Sequence, residues 1–112
     1  MQPLTIELKI DQKKKKYVTP NHIQGSLFRT AAEVAQELEE RSFEVLLNLD
    51  KYYQFIVEVF GEKFDVDTLE AGLDARKILD TLYAVSNYVL GNISTAIEML
   101  SDKDPSKEEL GK

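Results

Sequence analysis

The chain of 112 residues has no cysteine, a single histidine and no long apolar run, and each shortage closes a class of function. Without thiols there is no disulfide framework, no thiolate metal site and no Cys–His nucleophilic pair, and the redox compartment stays open. His22 would have to serve any Ser–His pair, yet no patterned serine accompanies it; it reads as a structural or merely exposed histidine. The five glycines form no phosphate-cradling cluster. Positive charge is also short. Fourteen basic against twenty acidic side chains leave a net charge of −6, which opposes phosphate backbones, whose binding depends on basic side chains displacing counterions. No segment approaches the roughly 20 apolar residues that span a bilayer, and Met1–Glu7 has neither the basic leader nor the apolar core of a signal peptide. These features lead us to expect a soluble cytosolic protein with no membrane contact, no nucleic acid, no cofactor and no catalytic residue.

What is present is amphipathic pattern. Leu4, Ile6, Leu8 and Ile10 alternate with polar residues, the period of a half-buried strand. Asp11–Lys14 reads as a polar turn and Lys15–Val18 as a return strand, giving a hairpin over 4–18 that must pack on something else to be stable. Thr19-Pro20 looks like a helix start, Thr19 as N-cap and Pro20 in the first turn, for a helix over about 20–40; Gly25 allows a later start at Ser26. Ser42 is placed to cap a second helix over 43–60, whose apolar arc is wider than the usual stripe of about 100°. Gly61 supplies its left-handed stop. Asp65 or Asp67 can cap a short turn of helix over 66–72, Asp67 and Glu70 having capping-box spacing. Gly72 closes that turn. Asp74 is then placed to cap a last helix over 75–100 with a broad apolar face from Ala75 to Leu100. The fold class expected is α+β, an N-terminal β-hairpin packed on a bundle of three longer helices plus a short helical turn. Residues 1–100 are expected to form one domain, and 101–112, with one aliphatic residue and no period, a mobile tail.

Two features invite a functional reading. Asp65 and Asp67 superficially suggest a calcium loop, but Leu69, Glu70 and Arg76 stand where an oxygen ligand, the turn glycine and the closing glutamate belong, so helix capping is the better account and no metal is expected. Lys13–Lys16 is a short basic run. Lysines there also keep an edge strand from pairing with other chains, so a solvated turn is favoured over partner contact, and partner contact over nucleic acid. The remaining surplus is apolar helix surface. Tyr52, Phe55 and Val59 form a separate edge of helix 43–60, while Tyr88 and Met99 fall on the polar side of the last helix; these five are the candidate partner-binding residues.

The stretch Val59-Phe60-Gly61 followed by Phe64-x-Val66-x-x-Leu69-x-x-Gly72-Leu73-x-Ala75 resembles the small tail assembly chaperones of long-tailed bacteriophages, in particular siphophages of Gram-positive hosts. The similarity covers approximately residues 3–100. It implies a short β element, an Ala/Glu-rich helix, an aromatic-rich helix ending in Phe-Gly and a closing helix. It further implies a non-enzymatic function: binding the tape measure protein, shielding its apolar segments from aggregation and helping recruit the tail tube protein. Such proteins work in the host cytoplasm, are absent from the mature virion, and often have a longer form made by ribosomal frameshifting near the end of the first frame. A homo-oligomer or a stable client complex is expected. The residues by themselves leave open a helical adaptor or regulatory module and, less well supported, a nucleic-acid binder.

Overall fold

The structure, a computed structural model, describes residues 2–100; the tail expected over 101–112 lies outside them. Strand β1 (Thr5–Ile10) pairs antiparallel with β2 (Lys13–Val18), from Ile10 opposite Lys13 to Thr5 opposite Val18. The turn is tighter than Asp11–Lys14. Asp11 and Gln12 form it alone, both at positive φ (52° and 67°), the backbone a two-residue hairpin loop demands, and the strand resumes at Lys13. The period of two does what it should: Leu4, Ile6 and Leu8 are buried, while Lys13–Lys16 are exposed.

Thr19 is not a helix cap. Its Oγ1 accepts from the Leu4 backbone N–H (2.9 Å) and donates to the Tyr88 hydroxyl (3.3 Å), which in turn donates to the Gln2 carbonyl (2.6 Å). A buried hydroxyl thus ties the open end of the hairpin to a helix 69 residues away. Residues 20–25 are consequently irregular, and helix α1 runs only from Ser26 to Glu40, burying Leu27, Ala31, Val34 and Leu38 at helical spacing.

The helix expected over 43–60 is two helices. Helix α2 (Ser42–Leu47) and helix α3 (Leu49–Val59) are separated by Asn48 at φ −130°, ψ 45°, with its side-chain amide donating to the Glu44 carbonyl at 2.9 Å. Ser42 is the first residue of α2 and gives no side-chain cap. Gly61 (φ 73°) does end the segment, as its residue type suggests. Helix α4 (Val66–Gly72) is capped by Asp65, not Asp67: the Asp65 carboxylate accepts from Thr68 N–H at 2.7 Å, and those hydrogen bonds hold its pKa below the ordinary carboxylate value. Gly72 closes α4 for a packing reason. A Cβ there would lie 3.0 Å from the Lys9 carbonyl oxygen and 3.0 Å from Leu8 Cβ, so its absence lets α4 lie against β1.

The helix expected over 75–100 also divides. Asp74 caps a 3-10 turn at Ala75–Lys77, accepting from Arg76 N–H at 2.9 Å, followed by helix α5 (Ile78–Val89) and helix α6 (Ile93–Met99). Gly91, at φ 99°, followed by Asn92, breaks the run. Helix α5 packs against α1, α3 and α6, and α4 bridges α3 and the hairpin. The result is an α+β fold with an N-terminal hairpin and, among the described residues, six α-helices around one continuous buried cluster. No helix among the described residues is long and apolar enough to cross a membrane.

Candidate functional site

The expected aromatic edge is interior. Tyr52, Phe55 and Val59 retain only 5%, 3% and 0% exposure. Once the helix breaks at Asn48, α3 is an independent rod enclosed by α1, α4 and α5, and its whole wide arc finds neighbours. Tyr88, expected on a polar side, is buried in the hydroxyl chain with Thr19, and Met99 is half-buried against the core. Tyr52, Phe55, Val59 and Tyr88 are therefore too buried to make the exposed partner surface for which they were singled out. The residues that carry the resemblance fare differently. Phe60, Phe64, Leu69, Gly72 and Leu73 are buried, Val66 is half-buried, and Gly61 and Ala75 are exposed at the turns. Phe64 packs edge-to-face on Tyr17 (4.8 Å between centroids) and beside Phe60 (5.8 Å), so this pattern locks the Gly61 turn and α4 beneath the hairpin.

Three large exposed apolar side chains lie together on α2. Its residues Phe43, Leu46 and Leu47 fall at i, i+3 and i+4, one face of a helix, and are 73%, 41% and 68% exposed; only Val45 turns inward. A sequence cue existed. Asn48-Leu49-Asp50 places a helix-breaking residue and a first-turn acid inside the apolar run, as a new helix start would. Phe28 on α1, 54% exposed, is a further large exposed side chain.

Beside the α2 face opens a cleft of about 720 Å³ between the end of α1, α2 and the start of α3. Tyr52 lies on its inner wall, its hydroxyl donating to Glu37 Oε1 at 2.6 Å. Burial, then the Glu37 hydrogen bond and negative charge, push the Tyr52 pKa up to about 12. Lys51 Nζ sits 3.6 Å from Glu37 Oε2 and 5.5 Å from the centre of the Tyr52 ring, so Glu37 ties α3 to α1 through two partners. The surroundings are acidic: residues 33–51 hold six acidic and two basic side chains. The hairpin has the opposite sign, with five lysines against two acids over residues 5–18.

His22 is exposed, and among the described residues no group of three or more His, Cys, Asp or Glu side chains could hold a metal ion. What the cleft and the α2 face offer is contact area. A family model described as phage tail chaperone protein matches residues 1–112. No curated protein and no solved structure matches the chain.

Proposed function

The chain belongs to the phage tail chaperone protein family, and on that premise we propose that it is a non-enzymatic assembly factor that holds the tape measure protein and assists assembly of the tail tube around it. The observation that carries this reading is the α2 face. Three large apolar side chains stand exposed together on a body with a net charge of −6. A holding chaperone needs that combination: apolar surface for the client, and like charge on the complexes to keep them dispersed. The work is done in the host cytoplasm, and the protein leaves before the virion is finished. The tube subunit is recruited through a longer, frameshifted product that carries this domain. A homo-oligomer through Tyr52, Phe55 and Val59 has lost its basis, because those side chains are core; the stable client complex is the form proposed.

The test is co-expression. The tape measure protein produced alone should be largely insoluble, and with this chain it should be soluble and co-purify. A tape measure protein that stays insoluble and unbound in the presence of folded chain would defeat the proposal. Mass spectrometry of products from the intact gene region reads the frameshifted form directly.

A further inference from the structure

We infer that the α2 face and its cleft take an amphipathic helical segment that carries Lys or Arg beside its apolar side, an inference that rests on the client-holding reading above and specifies the chemistry of the client. Phe43, Leu46 and Leu47 present apolar groups at i, i+3 and i+4 of one helix, so the recognition mode is side chain against side chain, helix laid along helix and cleft. Strand addition needs a free sheet edge, which this surface does not have.

The charges select the sign of the flanks. The cleft is lined by three acids, Glu37, Glu44 and Asp50, and two bases, Arg41 and Lys51; Lys51 is engaged with Glu37, while Glu44, Asp50 and Arg41 are in no ion pair among the described residues, which leaves the lining acidic by one charge. The stretch 33–51 carries a net charge of −4, most of the chain's −6. A basic-flanked helix would gain from that rim, and an acidic one would be repelled.

Area and charge together disfavour a second copy as the occupant. At roughly 200 Å² for each large side chain, the exposures found leave on the order of 350 Å² of apolar surface, well below the ~800 Å² that each partner of a standard interface buries. A two-fold dimer through α2 would also bring two acidic rims face to face. A small patch that grips weakly suits a client whose repeated segments are held together and later released, because several weak contacts along one chain add up.

The experiment uses the full chain and a fluorescein-labelled amphipathic peptide with leucines on one helical face and lysines flanking them. Its twin carries glutamates in place of the lysines. By anisotropy the lysine peptide should bind at least about tenfold more tightly than the twin, and added salt should narrow the gap. The variant F43S/L47S, with its fold checked by circular dichroism, should lose about tenfold or more in affinity for the lysine peptide. The variant E44K/D50K should reverse the preference between the twins. Equal binding of the twins, unchanged binding by F43S/L47S, or no reversal by E44K/D50K each overturns the inference. A dimer seen by ultracentrifugation and dissolved by F43S/L47S overturns it too, since the face would then belong to a second copy. Failure of the function itself reads differently: the peptide results hold while the wild-type chain leaves the tape measure protein insoluble. If F43S/L47S still co-purifies with a tape measure protein that the wild type holds, the function stands and this surface is not its site.

Discussion

Helices α2 and α3 are adjacent in sequence, similarly rich in apolar residues and separated by one asparagine, yet one hides nearly all of its apolar side chains and the other displays most of them. In α3, Tyr52, Tyr53, Phe55, Ile56, Val57 and Val59 are all buried; in α2 only Val45 is. The difference lies in the neighbours. Helix α3 packs on α1, α4 and α5, whereas the main contacts of α2 are with the helices on either side of it in the chain. A continuous helix over both segments would have carried an apolar arc too wide for one contact surface. Breaking it at Asn48 turns the second half fully inward and leaves the first half outside. Apolar content alone does not separate buried from exposed helix; the break does.

The largest expected effect tests that separation directly. Phe55→Ala or Tyr53→Ala should cost about 3–5 kcal/mol, the usual loss when a large aromatic leaves a packed interior, while Phe43→Ala should change stability by less than about 0.5 kcal/mol. Urea unfolding of the three variants measures it. Similar losses at Phe43 and Phe55 would mean that α2 is packed in solution.

Next in size is the contact that joins the two regions. The Tyr52 hydroxyl must stay protonated to donate to Glu37, and its folded pKa of about 12 stands above the ordinary 10. The folded state therefore favours the neutral phenol. Its contribution is complete below pH 10 and is lost as pH rises from 10 through 12. Tyr52→Phe should cost about 1.5–3 kcal/mol at neutral pH, the worth of a hydrogen bond to a charged group, and should flatten part of the alkaline fall. Tyr53, whose pKa burial also raises, should keep the remainder. Thermal unfolding from pH 7 to 12 shows both effects, and identical alkaline limbs for wild type and Tyr52→Phe would remove Tyr52 from this role.

A smaller effect belongs to the break itself. Asn48→Ala removes the exposed hydrogen bond from the side-chain amide to the Glu44 carbonyl and substitutes the best helix former, two changes of opposite sign and similar size. Stability should move by less than about 1 kcal/mol, and helical circular dichroism should rise if α2 and α3 begin to fuse. No gain in helicity would show that tertiary contacts, not Asn48, impose the bend.

Much of the fold was legible in residues of one kind: those whose neighbours in sequence are also their partners. The alternation of Leu4, Ile6 and Leu8 foretold the hairpin's inner face, and Gly61 foretold the left-handed stop. Where a partner is distant, local pattern misled. Thr19 has the chemistry of a cap, but Leu4 and Tyr88 claim its hydroxyl, and no local signal reports a bond across 69 residues. Gly91-Asn92 was readable as a stop and restart, yet the apolar period running on to Leu100 outweighed it. The candidate site failed for a related reason. A helical wheel drawn through Asn48 assumes one rigid rod, and on that assumption Tyr52, Phe55 and Val59 form a separate edge, when in fact all three are buried.

The smallest expected effect is the most discriminating. Replacing Phe43 and Leu47 together with serine removes two large apolar side chains, which in a core would be ruinous. At 73% and 68% exposure they have little burial to lose, and serine lowers helix propensity only modestly. The double variant should unfold within about 0.5 kcal/mol of the wild type and be more soluble at high concentration, since the exposed patch that invites non-specific association is gone. Chemical unfolding and light scattering on the same samples measure the pair. A marked loss of stability would show that the α2 face is covered by the chain's own residues in solution, so that α2 and α3 would no longer differ in kind.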